Sequence, residues 1–294
     1  MTRLRELLIG PPAPAALAMV MWLTAEIVFS RTIGDEIPIP QVTWLRYGFH
    51  LALMCLVLGI PCRFSFVRTS RPWLQLGRSL LIVTMPLGLG LAIERASWDD
   101  IVPIFWTAPL LVLIMTSLAG DRPSPLSWIV VLIAVLAVVV MNRPSLRGMA
   151  GAALPSFAAA VGFAGYFVLT RVLGRTEPLL TNLFYTGLGA FIALSILLPT
   201  FWGPVSARQL VVVVILAILG WITLWLIERS LRQASPARLA PVLFLQPLLD
   251  SAIRVTRPSF ADLRYLVAVL VVLAVVSAAW WLSPRSSPAP ETVV

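Results

Sequence analysis

Ten runs of apolar residues, each roughly 17–25 long and so long enough to span a bilayer, follow one another along this chain. They lie near 15–33, 41–61, 73–94, 99–119, 126–142, 150–171, 180–199, 208–228, 236–254 and 263–283, and the polar connections between them are too short to hold a soluble domain. Hydrophobic residues make up 59% of the 294 and charged residues 12%, against about 25% charged in a soluble domain. No soluble core could hide that much apolar surface, so lipid is the expected solvent. A bilayer leaves every backbone N–H and C=O to be satisfied within the protein, and runs of this length therefore read as helices. The expectation is an all-α integral membrane protein with ten transmembrane helices, whose surroundings are membrane lipids. Arg3 and Arg5 ahead of the first run resemble the start of a secretory signal, but the run continues to about Gly34 without a small-residue cleavage site, so it reads as a retained span. The tail at 285–294 is expected to be disordered.

Composition removes several chemistries. All 22 basic residues are Arg, so there is no lysine for a phosphate loop or a Schiff base. One His and two Cys supply neither an ordinary zinc site nor a disulfide framework; Cys55 and Cys62 are expected to be inert, and no metal or cofactor is implied. The net charge of +9 and pI near 11.1 would suit nucleic acid, but the Arg residues are scattered as ones and twos between apolar runs, which is how charge flanks membrane spans. Nucleic acid is therefore not an expected partner. With the N-terminus in the cytoplasm, Arg3, Arg5, Arg63, Arg68, Arg71 and Arg122 fall inside and only Arg31 and Arg95 outside in the first half. This predicts both termini on the cytoplasmic side of an inner membrane. The bias disappears in the second half.

The chain also repeats itself. Ala92-Ile93-Glu94-Arg95 is echoed by Leu226-Ile227-Glu228-Arg229, and the segment from Pro103 to Pro109 by that from Pro241 to Pro247, with the same spacing between prolines. Asp121-Arg122-Pro123-Ser124 matches Thr256-Arg257-Pro258-Ser259, and Phe29-Ser30-Arg31 with Gly34 matches Leu169-Thr170-Arg171 with Gly174. The matches keep their order and divide the chain into halves at 1–145 and 146–284. Five spans is an odd number, so the second copy enters the membrane upside down. Inverted repeats of this kind are typical of secondary transporters, in which two related bundles rock about a central site. Ten spans in a five-plus-five repeat, Trp44-Leu45-Arg46 early in the second span, and Ala/Pro-rich fourth and ninth spans resemble the EamA-like branch of the drug/metabolite transporter superfamily. That resemblance implies a carrier of metabolites, often an exporter of amino acids or amphiphilic compounds, that works without an ATPase. Where the family commonly has Gly-Glu after the fourth and ninth spans, this chain has Gly120-Asp121 and Val255-Thr256.

Candidate site residues follow from the cost of placing polar groups in hydrocarbon. Pro103, Pro109, Pro241 and Pro247 each free a backbone carbonyl, and interrupted helices at equivalent places in two halves point to a central cavity; Trp106 and Gln246 lie between or beside them. Glu26 and Arg46 sit at comparable depth in adjacent spans, Glu26 roughly 10 Å from its span end, so an ion pair is expected, with a structural role and a role in substrate or proton binding both open. His50, one turn beyond Arg46 on the same face, is a candidate for proton coupling or for packing. Trp22, Glu26 and Phe29 form one stripe and Trp221, Trp225 and Glu228 another; Tyr166 occupies the repeat position of Glu26. Trp73, Trp98, Trp128, Trp202, Trp280 and Trp281 read as interfacial anchors. Arg78 is expected to snorkel back to the cytoplasm, and Asp250 to pair locally with Arg254. Together these residues predict an alternating-access carrier of a small molecule, with export of amino acids or similar amphiphiles as the leading expectation. A flippase for lipids or lipid-linked sugars on the same fold, and an intramembrane enzyme on lipid-linked substrates, are the alternatives. Against the enzyme, Asp99-Asp100 has no second acidic motif and no Ser/His or Cys/His arrangement is evident. Substrate identity, coupling ion and oligomeric state leave no signature in the sequence.

Overall fold

The structure, a computed structural model, describes residues 10–33 and 36–255 together with Leu270 and Ser277. The tenth expected span, the tail at 285–294, Gly34, the repeat segment from Thr256 to Ser259 and the side chain of Arg254 lie outside the described residues.

Among the described residues, eight helical stretches are long and apolar enough to cross a membrane. They are α1 (Pro12–Thr32), α2 (Ile39–Leu53, carried to Leu58 by a π-helical turn), α3 (Pro72–Ile93), the pair α4 (Trp98–Phe105) and α5 (Ala108–Leu118), α6 (Pro125–Asn142), α7 (Leu146–Leu173), α8 (Leu179–Phe201) and α9 (Ala207–Gln233). The ninth expected span is built in three pieces: α10 (Pro236–Leu239), a 3-10 segment (Ala240–Phe244) and α11 (Leu245–Val255). This is a multi-pass membrane protein. The boundaries have local causes. Proline occupies the first turn of α1, α2, α3, α6 and α10, where its missing N–H is no loss. Ser124, Ser145 and Ser206 cap α6, α7 and α9 through their hydroxyls, meeting N–H groups that lipid could not satisfy. Gly120, at φ +91°, ends α5 in a left-handed turn, with Asp121 N–H donating to the Thr116 carbonyl at 3.2 Å.

Helices of the first half pack chiefly on helices of the second. α3 lies along α7, α1 along α9, and α2 against α8. Where α3 meets α7 the contact is made by small residues. A Cβ on Gly162 would lie 1.6 Å from Thr84 Oγ1 and 2.6 Å from the Leu81 carbonyl, and one on Gly88 would lie 2.5 Å from the Pro155 carbonyl. In lipid no hydrophobic force drives helices together, so close backbone approach of this kind supplies much of the association. Between α2 and α8, Trp44 stacks on Phe191 at 4.9 Å and donates its indole N–H to Ser195 Oγ at 2.8 Å.

At one end of the bundle a polar network ties four helices together. Arg78, in the second turn of α3, is fully buried and pairs with the fully buried Glu228 near the end of α9. Its guanidinium also donates to Thr170 Oγ1 of α7 at 3.2 Å, to Thr186 Oγ1 of α8 at 2.7 Å, to Gln75 Oε1 at 3.3 Å and to the Asn182 carbonyl. Asn182 in turn donates to Glu228 Oε2 at 3.1 Å and accepts from Gln75 at 2.7 Å. The expectation that Arg78 snorkels to the surface is therefore corrected: its helix face turns inward, and a carboxylate from a helix 150 residues away removes any need to reach water. A second layer closes the same end, with Ser70 donating to Glu177 at 2.5 Å through its hydroxyl and Arg171 and Arg232 donating to the carbonyls of Leu231 and Glu177. The opposite end is joined by a reciprocal pair between Gln41 and the Gly203 backbone at 2.8 and 3.0 Å, and by Gln209 donating to Glu36 at 2.8 Å.

Two substitutions test this packing. Gly162→Ala forces a methyl into Thr84 and is expected to lower stability by about 1–3 kcal/mol, read as a fall in melting temperature in detergent; an unchanged melting temperature contradicts the close approach. Glu228→Leu alone strands Arg78 and is expected to cost about 3–5 kcal/mol, while the double variant Arg78→Met/Glu228→Leu recovers part of that loss. A double variant no more stable than the single one contradicts the pairing.

Candidate functional site

Between the two polar ends lies a cavity of about 70 Å³. Its walls come from both halves: Trp22 and Ala25 of α1, Arg46, Tyr47 and His50 of α2, Ile82 and Met85 of α3, Phe163 and Tyr166 of α7, and Ala217, Gly220, Trp221, Thr223, Leu224 and Ile227 of α9. The volume holds a few waters and is well below the roughly 300–1,000 Å³ typical of metabolite pockets. A metabolite would need the helices to separate further.

The wall is largely aromatic and aliphatic, with a few polar groups. Arg46 is half-buried, its guanidinium carbon 5.2 Å from the Tyr47 ring centroid. It lies against Gly220 of α9, where a Cβ would stand at ordinary contact distance, 3.5 Å from Arg46 Cδ and 3.7 Å from Nε. His50 is buried, its Nε2 3.2 Å from the Leu183 carbonyl; a Cβ on Gly187 would lie 2.9 Å from the ring, so only a glycine lets α8 close this far. Tyr166 Oη and Trp221 Nε1 are buried without a hydrogen-bond partner. Among the described residues no carboxylate lines the cavity. Beneath it, the Tyr166 ring meets the Arg78 guanidinium at 5.3 Å, so the wall of the cavity rests directly on the ion-pair network.

Of the residues expected from sequence, the structure brings Trp22, Arg46, His50, Tyr166 and Trp221 together around this cavity. Trp106 is not in the wall: it lies behind Trp22 at 5.9 Å and beside Phe244 at 6.1 Å, in an aromatic cluster that also holds Phe105 and Phe163. Trp225 packs outside the wall with Arg229 5.4 Å from its ring. The stripe on α9 thus descends from the cavity at Trp221, past Trp225, to Glu228 in the network. Where the sequence suggested an ion pair between Glu26 and Arg46, the structure shows Glu26 accepting from Gln246 Nε2 of α11 at 2.5 Å and Arg46 lying over Tyr47. The prolines frame the site from behind. The fourth span breaks at Trp106 and Thr107, between Pro103 and Pro109, and the ninth is 3-10 helix over Ala240–Phe244, just ahead of Pro247. These two interrupted segments pack on each other. Asp100 accepts from Ser97 Oγ at 2.6 Å and from the Ser145 backbone N–H at 2.6 Å, which accounts for an acid beside the start of α7.

Tyr47, Gly220 and the network residues Gln75, Thr170, Asn182 and Thr186 were not anticipated. One signal was available for the network: Gln75 and Arg78, and Asn182 and Thr186, are polar residues at helical spacing inside otherwise apolar runs.

No protein-family model matches the chain. It is similar to proteins named S-adenosylmethionine uptake transporter from three Rickettsia species: R. prowazekii, 22% identical over 226 residues, and R. conorii, 20% over 224, each alignment covering 76% of both chains, and R. bellii, 21% over 229 residues and 78% of both. The fold is shared with a solved crystal structure at a TM-score of 0.77 and 19% identity, covering 94% of this chain and 99% of that one.

Proposed function

We propose that this chain is a secondary transporter that carries small amphiphilic metabolites of amino-acid type, S-adenosylmethionine among them, by alternating access around the cavity between α1, α2, α3, α7 and α9. The observation that carries the reading is a central cavity built by both halves, its wall largely aromatic and aliphatic and set with a few polar groups. Aromatic faces suit both an adenine ring and a sulfonium cation. The two halves act as inverted five-helix repeats. In support, the third span of each half packs along the first span of the other, and both Pro-bracketed spans are interrupted at equivalent places. In the orientation that the Arg distribution favours, the Arg78–Glu228 end faces the cytoplasm of an inner membrane and the opposite end faces out. The sequence resemblance pointed to export, whereas the relatives are named for uptake. A carrier of this type runs either way with its gradient, so the reading commits to the chemistry of the cavity.

Counterflow in proteoliposomes tests it. Vesicles preloaded with unlabelled S-adenosylmethionine are expected to accumulate the labelled compound transiently and saturably, with no imposed gradient. Trp22→Ala and Trp221→Ala are each expected to weaken half-saturation up to about tenfold, since an aromatic contact contributes about 0.5–1.5 kcal/mol, at unchanged protein yield. Absence of counterflow across S-adenosylmethionine and an amino-acid panel, from folded protein, contradicts the proposal; movement of a labelled phospholipid between leaflets in the same vesicles would favour the flippase instead.

A further inference from the structure

We propose that Arg46 is the anchor for a substrate carboxylate, which makes this cavity selective for metabolites that carry a free acid group. The inference deepens the carrier reading and rests on it for the location of the site. An Arg roughly 10 Å along a membrane helix is expensive to hold unless something compensates its charge. Arg78 shows how the protein normally meets that cost, with a carboxylate and four further acceptors. Arg46 is different. Among the described residues it makes no ion pair and donates no side-chain hydrogen bond, and its neighbours are the Tyr47 ring and the bare backbone at Gly220.

The surroundings point to an acceptor that arrives with the ligand. Tyr166, a side chain with no exposed surface, and Trp221, whose Nε1 is buried without a partner, line the same cavity. A guanidinium, a phenol and an indole N–H all donate. The one imidazole in the wall already engages the Leu183 carbonyl through Nε2, and among the described residues no acid lines the cavity to compete. A cavity with donors in excess and no negative charge fits a carboxylate, which accepts at two oxygens and matches the planar fork of Arg. The aromatic wall then receives the remainder of the molecule. An ammonium or sulfonium elsewhere on the substrate would meet ring faces, not a counter-ion.

The test is calorimetric binding to the purified full chain in detergent, independent of transport. Methionine, phenylalanine and S-adenosylmethionine are each compared with the counterpart amine lacking the carboxyl group. The acids are expected to bind and the amines to bind about tenfold to a hundredfold more weakly, the range for losing a hydrogen bond to a charged group. Arg46→Gln is expected to weaken the acids by a similar factor and leave the amines unchanged, with Arg46→Lys partly restoring acid binding. Because Arg46 makes no ion pair and donates no side-chain hydrogen bond among the described residues, its replacement strands no buried acceptor and the fold should persist. Equal binding of acids and amines, equal loss of both in Arg46→Gln, or no binding of any acid overturns the inference. Acid-selective binding without counterflow would instead sink the carrier reading and leave the site standing, whereas counterflow without acid selectivity would do the reverse.

Discussion

The ion pair between Arg78 and Glu228 is buried beyond the reach of water, and the arrangement of the bundle depends on keeping its two charges together. Neither could remain ionised alone in hydrocarbon. The pair therefore fixes α3 against α9, and the remaining donors of the guanidinium draw in α7 and α8 through Thr170, Thr186 and Asn182. One first-half helix and three second-half helices are held at one end by a single charged centre. Polar interactions are directional where apolar packing is not, so the network also sets the register of these helices and with it the height of Tyr166 on the cavity wall.

Above this anchor the structure changes character. α3 and α7 stay in contact through Gly88, Gly162 and their neighbours, and the interrupted fourth and ninth spans pack behind the cavity through Trp106, Phe105 and Phe244. A broken helix leaves carbonyls unbonded and can bend without losing an intact hydrogen-bond ladder. The site thus has a stiff polar closure at one end, small-residue contacts along its length, and proline-weakened helices at its back. On the proposed function, that combination would let one end open while the other closes.

Much of this was legible in the sequence because the membrane imposes it. Apolar run length set the eight spans seen among the described residues to within a few residues, and proline spacing located both helix breaks, since each rests on local backbone chemistry. Trp22, Tyr166 and Trp221 could be placed near a shared cavity from helical stripes and the repeat. Arg78 was misread because distance from a helix end does not tell which face a side chain occupies, and its partner Glu228 lies 150 residues along the chain. Trp106 was drawn to the cavity by its neighbouring prolines, but a large ring beside a helix break packs into the space the break opens, behind Trp22. Glu26 and Arg46 were matched by depth alone, without the information that α11 brings Gln246 to Glu26. In each case the missing element was the relative rotation of helices distant in sequence.

A carrier working by alternating access must open the Arg78–Glu228 end and the opposite end in turn. Spin labels on the same two helices report this directly: Trp73 with Gln233 at the network end, and Ile93 with Arg208 at the other, all exposed, after Cys55 and Cys62 are replaced by Ser. Distance distributions from pulsed electron resonance are compared between the otherwise unaltered chain and Glu228→Gln, which neutralises one half of the pair. Alternating access with the ion pair as the closure predicts a longer Trp73–Gln233 distance together with a shorter Ile93–Arg208 distance in the variant. Two distances that stay fixed, or that lengthen together, would contradict it.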